Sequence, residues 1–299
     1  MADQLITAVS KDGAFRVFAV DASGVVAEAQ RRHDTWSAAS AALGRTLVAT
    51  LLLSAAGLKD DRDLLTVRLK GDGPVGGMVV DGTSHGTVRG YIEHPHVTLP
   101  LNVVGKIDVG RAVGHQGLLA VTKDLGLGEP FTGQVPLVSG ELGEDFTYYL
   151  AQSEQIPAAV GLSVFVNADN SIQVAGGFMI QALPGAKDAE LAAVETSVKT
   201  LPLTSEMLRQ GLTPLQIAQR AMGDIPVKRV AAKPVAFACT CSKDHFGAII
   251  ATTPRRDLKA MIEEDHGAEA VCKFCGAKYQ YSEDELKAML KAKDEKNDN

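Results

Sequence analysis

The residues best placed to do chemistry are four cysteines, all of which lie after position 238 of a 299-residue chain. They fall into two close pairs, Cys239-Thr-Cys241 and Cys272-Lys-Phe-Cys275-Gly276, separated by thirty residues. Zn²⁺ takes four tetrahedral ligands, with Zn–S distances of ~2.3 Å, and two cysteine pairs brought together by a fold supply such a set. The second pair has the spacing of a zinc knuckle, in which the small Gly276 lets backbone amides turn toward the sulfurs. The one-residue spacer of the first pair is tighter than in ordinary zinc ribbons, and would close a strained short-loop disulfide once metal is lost. In a reducing compartment, clustered cysteines point to metal or redox work and not to structural disulfides. The spacing therefore predicts one Zn²⁺ on Cys239, Cys241, Cys272 and Cys275. Two uses remain open at this point: the metal simply folds a module with too little core of its own, or it forms part of a redox sensor. His245 and His266 are alternative ligands, but four thiolates already fill the site and leave both as surface or flanking residues.

Other motifs carry less. Gly71-Asp-Gly73-Pro-Val-Gly76 matches the letters of a dinucleotide fingerprint. Pro74 and the strand-like Met78-Val79-Val80-Asp81 follow where a helix should open, so a hairpin turn is expected. There is no Gly-x-x-x-x-Gly-Lys-Ser/Thr phosphate loop and no Gly-x-Ser-x-Gly nucleophile elbow. Glu141, Glu144 and Asp145, beside Tyr148 and Tyr149, read as a solvated helix start. No catalytic residue is assigned, and the chain is not read as an enzyme. A catalytic zinc would need an open water position, which four cysteines do not leave.

Composition narrows the field further. Hydrophobic residues make up 45% of the chain and charged residues 22%, with a net charge of −6, as in an ordinary soluble globular protein. Lys and Arg number 13 against 12 Asp and Glu over residues 228–299, and 17 against 24 over residues 1–227. Neither part is basic, and aromatics are only 5%. This argues against nucleic acid as a partner, including the alternative of a zinc ribbon that binds RNA through Lys228, Arg229 and Lys233. The N-terminus has no basic region leading into an apolar one, so a cytoplasmic location is expected. Trp36 to Leu58 is rich in Ala and Leu but carries Arg45, and reads as a buried helix and not a membrane span.

Residues 1 to about 183 read as strands with about two helices. Phe15–Val20, Leu65–Leu69, Gly161–Val166 and Ile172–Ala175 carry β-branched and aromatic residues in partial alternation. Clustered strands favour an α+β sheet domain over a doubly wound one. Helical spacing takes over from Lys187, with Leu191, Val194, Val198 and Leu201 on one face. Thr213-Pro214-Leu215-Gln216 forms a capping box with proline at the first helical position. Gly223 to Ala238 reads as a connection. The expected organisation is an N-terminal domain (1–184), a helical linker (185–238), a zinc module (239–290) and a charged, frayed tail (291–299). Ser282-Glu283-Asp284-Glu285 is a second capping box, predicted to start a short amphipathic helix.

With these residues in hand, the chain resembles the heat shock protein 33 family of bacterial redox-regulated holdase chaperones. The resemblance runs through His33, Leu43-Gly44-Arg45-Thr46, Gly71-Asp-Gly73-Pro74, Val88-Arg89-Gly90-Tyr91, Ser153-Glu154-Gln155, Ala175-Gly176-Gly177-Phe178 and Gln181-x-Leu183-Pro184. It continues through both cysteine pairs, with Tyr279 and Tyr281 following. At Lys243-Asp244 the chain departs from the Arg-Glu-Arg common in the family, which touches no cysteine.

The resemblance implies an ATP-independent chaperone that is inactive when reduced and zinc-loaded and becomes a holdase when oxidised. It also implies that Cys272 and Cys275 pair first, that Cys239 and Cys241 pair second, and that the linker unfolds. The active form would dimerise and hold unfolding clients for ATP-dependent foldases. The physical chemistry agrees, since thiolates are the oxidisable form of cysteine and structural zinc contributes ~10–16 kcal/mol to folding a small module. Exposure of the stripes Leu191/Val194/Val198 and Leu208/Leu212/Leu215 is expected to create the binding surface, and lysines at Val194 and Val198 are expected to weaken client binding.

Overall fold

The computed structural model describes residues 3–126 and 128–297. Alternating apolar residues set the first elements, β1 (Gln4–Ser10) and β2 (Phe15–Asp21), followed by α1 (Ser23–His33) and α2 (Ser37–Gly57). A meander follows, made of β3 (Leu64–Lys70), β4 (Gly77–Thr83) and β5 (Thr87–Ile92), and then α3 (Val109–Val113), β6 (Leu118–Asp124) and β7 (Phe131–Pro136). Next come α4 (Gly143–Gln152), the hairpin β8 (Ala158–Val166) and β9 (Ile172–Ala182), and three helices, α5 (Asp188–Thr200), α6 (Thr204–Arg209) and α7 (Pro214–Ala221). β10 (Val227–Pro234) and β11 (Ala236–Phe237) lead to α8 (Lys243–Thr252), α9 (Arg255–Glu263), β12 (Gly267–Val271), β13 (Lys278–Ser282) and α10 (Glu283–Asn297).

The chain divides into two compact units, Met1–Ala238 and Cys239–Asn299. In the first unit one sheet has the order β10-β1-β2-β9-β8 and is antiparallel throughout. The other has the order β11-β5-β4-β3-β6-β7, with only β11 parallel to its neighbour. Between the sheets runs α2, whose residues from Ala38 to Ser54 are buried except Arg45. An apolar surface on every side has to be buried all round, and this one is packed by both sheets. It is long and apolar enough to cross a membrane, but the window that passes that test is 89% buried inside the protein. Arg45 reaches the edge of the core and pairs with Glu141 at 2.6 Å.

The hairpin reading of Gly71–Gly76 holds, since these residues join antiparallel β3 and β4. A Cβ on Gly71 or Gly73 would sit 2.0 Å from the Val113 carbonyl oxygen or 2.3 Å from that of Ala112. The glycines therefore serve close backbone packing against α3. The solvated-start reading of the acidic cluster needs correction at Asp145, which is fully buried. Its carboxylate accepts from the Val138, Ser139 and Leu142 amides and ties the preceding turn to α4.

Among the described residues the N-terminal part holds four helices where about two were expected, because α3 and α4 are too short to show a clear period. The segment expected to be a bare connection, 223–238, instead contributes β10, paired antiparallel with β1 across a bulge at Val230, and β11. β10 alternates weakly because it is an edge strand with mostly exposed side chains, so its sequence carries no burial signal. Leu191, Val194, Val198, Leu208, Leu212 and Leu215 pack with Phe15, Val17, Phe178 and Ile180 on the outer face of the first sheet. Residues 185–238 thus lie within the first unit. α10 continues to Asn297, into the stretch expected to fray, and residues 298–299 of that tail lie outside the described residues.

Candidate metal centre

Two local structures present the four sulfurs. Cys239 and Cys241 lie between β11 and α8, and Ser242 caps α8 by accepting from the His245 amide at 3.1 Å. Cys272 and Cys275 form the turn between β12 and β13, where Cys272 and Gly276 donate to the Ala277 and Cys272 carbonyls at 2.9 and 2.8 Å. Gly276 has φ +71°, the left-handed conformation that glycine adopts without strain. The sequence reading left residues 242–271 without elements, and the structure fills them with α8, α9 and β12. These pack on a small core around Ile262, Tyr281 and Leu286. The second capping box is present, with the Ser282 amide donating to Glu285 at 2.8 Å and the Glu285 amide donating back to Ser282.

All four sulfurs lie within 4.8 Å of one another. Cys239 and Cys272 are 3.8 Å apart, Cys241 and Cys275 3.3 Å, and all four are free thiols. Tetrahedral coordination at a Zn–S distance of ~2.3 Å places sulfurs about 3.8 Å from one another, so the donor set fits a thiolate-binding metal. Cys272 and Cys275 are buried, while Cys239 and Cys241 are half-buried. His245 caps no sulfur, and His266 lies 3.4 Å from Glu283; neither belongs to the cluster.

The electrostatics show what a bound metal would do. Burial pushes the Cys241 thiol up, but hydrogen bonds from the Tyr279 hydroxyl and the neighbouring thiols outweigh it and bring it down to about 7. Burial raises Cys272, and it pushes Cys275 up to about 12. Burial and like charge both oppose four ionised thiols in this space, and a divalent cation would offset that by holding them as thiolates. Tyr279 had no assigned role at the sequence level. Its hydroxyl lies 3.2 Å from the Cys241 sulfur and 3.1 Å from the Cys241 carbonyl oxygen. The available signal was the i, i+2 pair Tyr279 and Tyr281 on a strand leaving the knuckle, since alternate residues share a face.

Comparison with known proteins follows the same lines. The family model described as "Hsp33 protein" matches residues 3–282. The chain belongs to the Hsp33 family. A 33 kDa chaperonin of Lacticaseibacillus casei is 69% identical over 290 residues, covering 97% of this chain and 99% of that relative. One from Enterococcus faecalis is 51% identical, covering 96% of this chain and 95% of the relative. The crystal structure of the 33 kDa chaperonin (heat shock protein 33 homolog) of Thermotoga maritima superposes with a TM-score of 0.91 at 36% identity, covering 99% of this chain and 100% of that one. As an Hsp33-family chain the protein is a chaperone, of a class that is not enzymatic, and unfolded client proteins are its partners. The α+β reading and the family resemblance both hold.

Proposed function

We propose that this protein is a redox-regulated, ATP-independent holdase, switched by a single Zn²⁺ on Cys239, Cys241, Cys272 and Cys275. The observation that carries the reading is the convergence of four free thiols within 4.8 Å in a unit whose own core is small. When bound, the metal holds the four sulfurs as thiolates and contributes ~10–16 kcal/mol to folding, more than that core could replace. In the reduced, metal-bound state the protein is inactive. Oxidation joins two thiols into a disulfide; with peroxide as oxidant, each disulfide formed yields two waters, sulfur being oxidised and peroxide oxygen reduced. Cys272 pairs with Cys275 first and Cys239 with Cys241 second, as the family resemblance implies.

Either pairing removes ligands, the C-terminal unit unfolds, and residues 185–238 act as a metastable linker that follows it. Two features support that role for the linker. α5 buries only Val194 among its thirteen residues, and β10 is an edge strand with little buried surface. Residues 1–184 then serve as the client-binding and dimerisation core, and 239–290 as the redox switch. The active dimer holds unfolding or oxidatively damaged proteins in the cytoplasm during oxidative and heat stress and passes them to ATP-dependent foldases. Membranes and nucleic acids are not partners in this reading.

The test is light scattering from a denatured client diluted into buffer with the reduced, zinc-loaded protein or with protein treated with peroxide at mildly raised temperature. Suppression by the treated form alone is expected. Equal suppression by both forms would make the cysteines structural and overturn the redox reading.

A further inference from the structure

The two halves of the thiol cluster are held in different ways. The knuckle sulfurs take hydrogen bonds from amides of their own turn, Cys272 from Phe274 and Cys275, and Cys275 from Ala277. The Cys241 sulfur takes one from a side chain 38 residues away, the Tyr279 hydroxyl. That ring stacks on Phe246 of α8 at a centroid distance of 5.5 Å, which orients the hydroxyl. Two residues along β13, the Tyr281 hydroxyl donates to the Lys243 carbonyl. Both tyrosines thus bridge the knuckle hairpin to the Cys239–Lys243 segment, but only Tyr279 touches a sulfur.

We propose that Tyr279 is a positioning residue of the redox switch: its hydroxyl clasps the Cys241 sulfur to the knuckle hairpin and sets how fast the Cys239/Cys241 limb is released and attacked. Donation of a hydrogen bond to a thiolate withdraws electron density and lowers its nucleophilicity, and a charged acceptor takes the larger share of a proton also offered to a carbonyl. Partners of this kind around metal ligands typically alter metal affinity by about 10–100-fold when removed. The clasp separates the switch into two stages. The knuckle's sulfur contacts are local and are lost with the turn itself, whereas Cys241 stays docked until Tyr279 lets go. The proposal rests on the metal reading above.

The experiment compares the wild type, Tyr279→Phe and Tyr281→Phe as full-length chains. The first readout is the thiolate-to-cobalt charge-transfer band after Co²⁺ substitution. The second is the alkylation rate of each cysteine by mass spectrometry in metal-loaded protein, where the sulfurs are thiolates. Tyr279→Phe is expected to shift the band to longer wavelength and to raise the Cys241 rate about tenfold relative to that of Cys275. Tyr281→Phe, which removes a clasp of similar reach but no sulfur contact, leaves both near the wild type. Loosening of all four cysteines to the same degree in both variants would overturn the proposal and leave Tyr279 a packing residue. Absence of any thiolate–cobalt band in the wild type would overturn the metal reading, and the proposal that rests on it.

Discussion

At the scale of single residues, the side chains that carry the resemblance divide between the thiol cluster and the scaffold of the first unit. Glu154, in the Ser153-Glu154-Gln155 motif, belongs to the scaffold. It accepts from the buried Tyr149 hydroxyl at 2.5 Å and pairs with Lys123 at 2.6 Å. Burial raises the Glu154 carboxyl, and the hydrogen bonds and charge from Lys123 and Tyr149 together prevail and hold it below the ordinary value of 4.5. A carboxyl lowered on folding stabilises the folded state above the unfolded value, and that contribution disappears as pH falls through the lower folded value. Glu154→Gln is expected to cost about 1–3 kcal/mol at neutral pH, measured as a shift in the urea midpoint of the first unit. The gap to wild type should narrow as pH falls below 4.5. A gap independent of pH would mean that Gln fails through shape and not through charge. His33 and Arg32 are scaffold residues of another kind, resting on Phe237 with the His33 ring centroid at 6.5 Å and the Arg32 guanidinium 5.6 Å above the ring. They fasten the strand end that leads into Cys239.

At the scale of elements, the helices α5 to α7 hold the most consequence. Their apolar stripe was legible from spacing alone, but its partner was not, because periodicity identifies a buried face without naming what buries it. That partner is the outer face of the first sheet, with Val194 only 5% exposed. Exposing the stripe therefore requires the helices to leave the sheet, which uncovers Phe15, Val17 and Ile180 at the same time. Val194→Lys is expected to remove about 1.5–3 kcal/mol of apolar burial and loosen α5 even in the reduced protein. Limited proteolysis should then cut within 188–200 several-fold faster than in the wild type; an unchanged rate would mean that α5 is held elsewhere. Because this variant disturbs the resting state, the expected loss of client binding in Val194→Lys/Val198→Lys has to be read in the oxidised form, against an oxidised wild-type control. Unchanged holdase activity there would remove the stripe from the client-binding surface.

At the scale of the whole molecule, the two units differ in what holds them together. The first has an extended core on both faces of α2 and a second apolar layer under α5 to α7. The second has a small core and the thiol cluster. Removing metal with a strong chelator under reducing conditions is expected to abolish amide-exchange protection across 239–290 while β1 to β9 keep theirs, since a module held by its metal unfolds without it. Full retention of protection across both regions would show that the thiol cluster is not what keeps the second unit folded.

The chain itself determined the cysteine set and its division into two spacings, because ligand type and spacing are local properties. It also determined the capping boxes at Thr213 and Ser282 and the core character of α2, since each depends on residues within a few turns. Only the tertiary structure decided that 227–234 closes the first sheet as an edge strand, that the linker stripe is seated on that sheet, that Asp145 is buried and that Tyr279 reaches Cys241. Each of these joins segments distant in sequence, and such contacts are set by packing geometry that leaves no periodic trace in either segment alone.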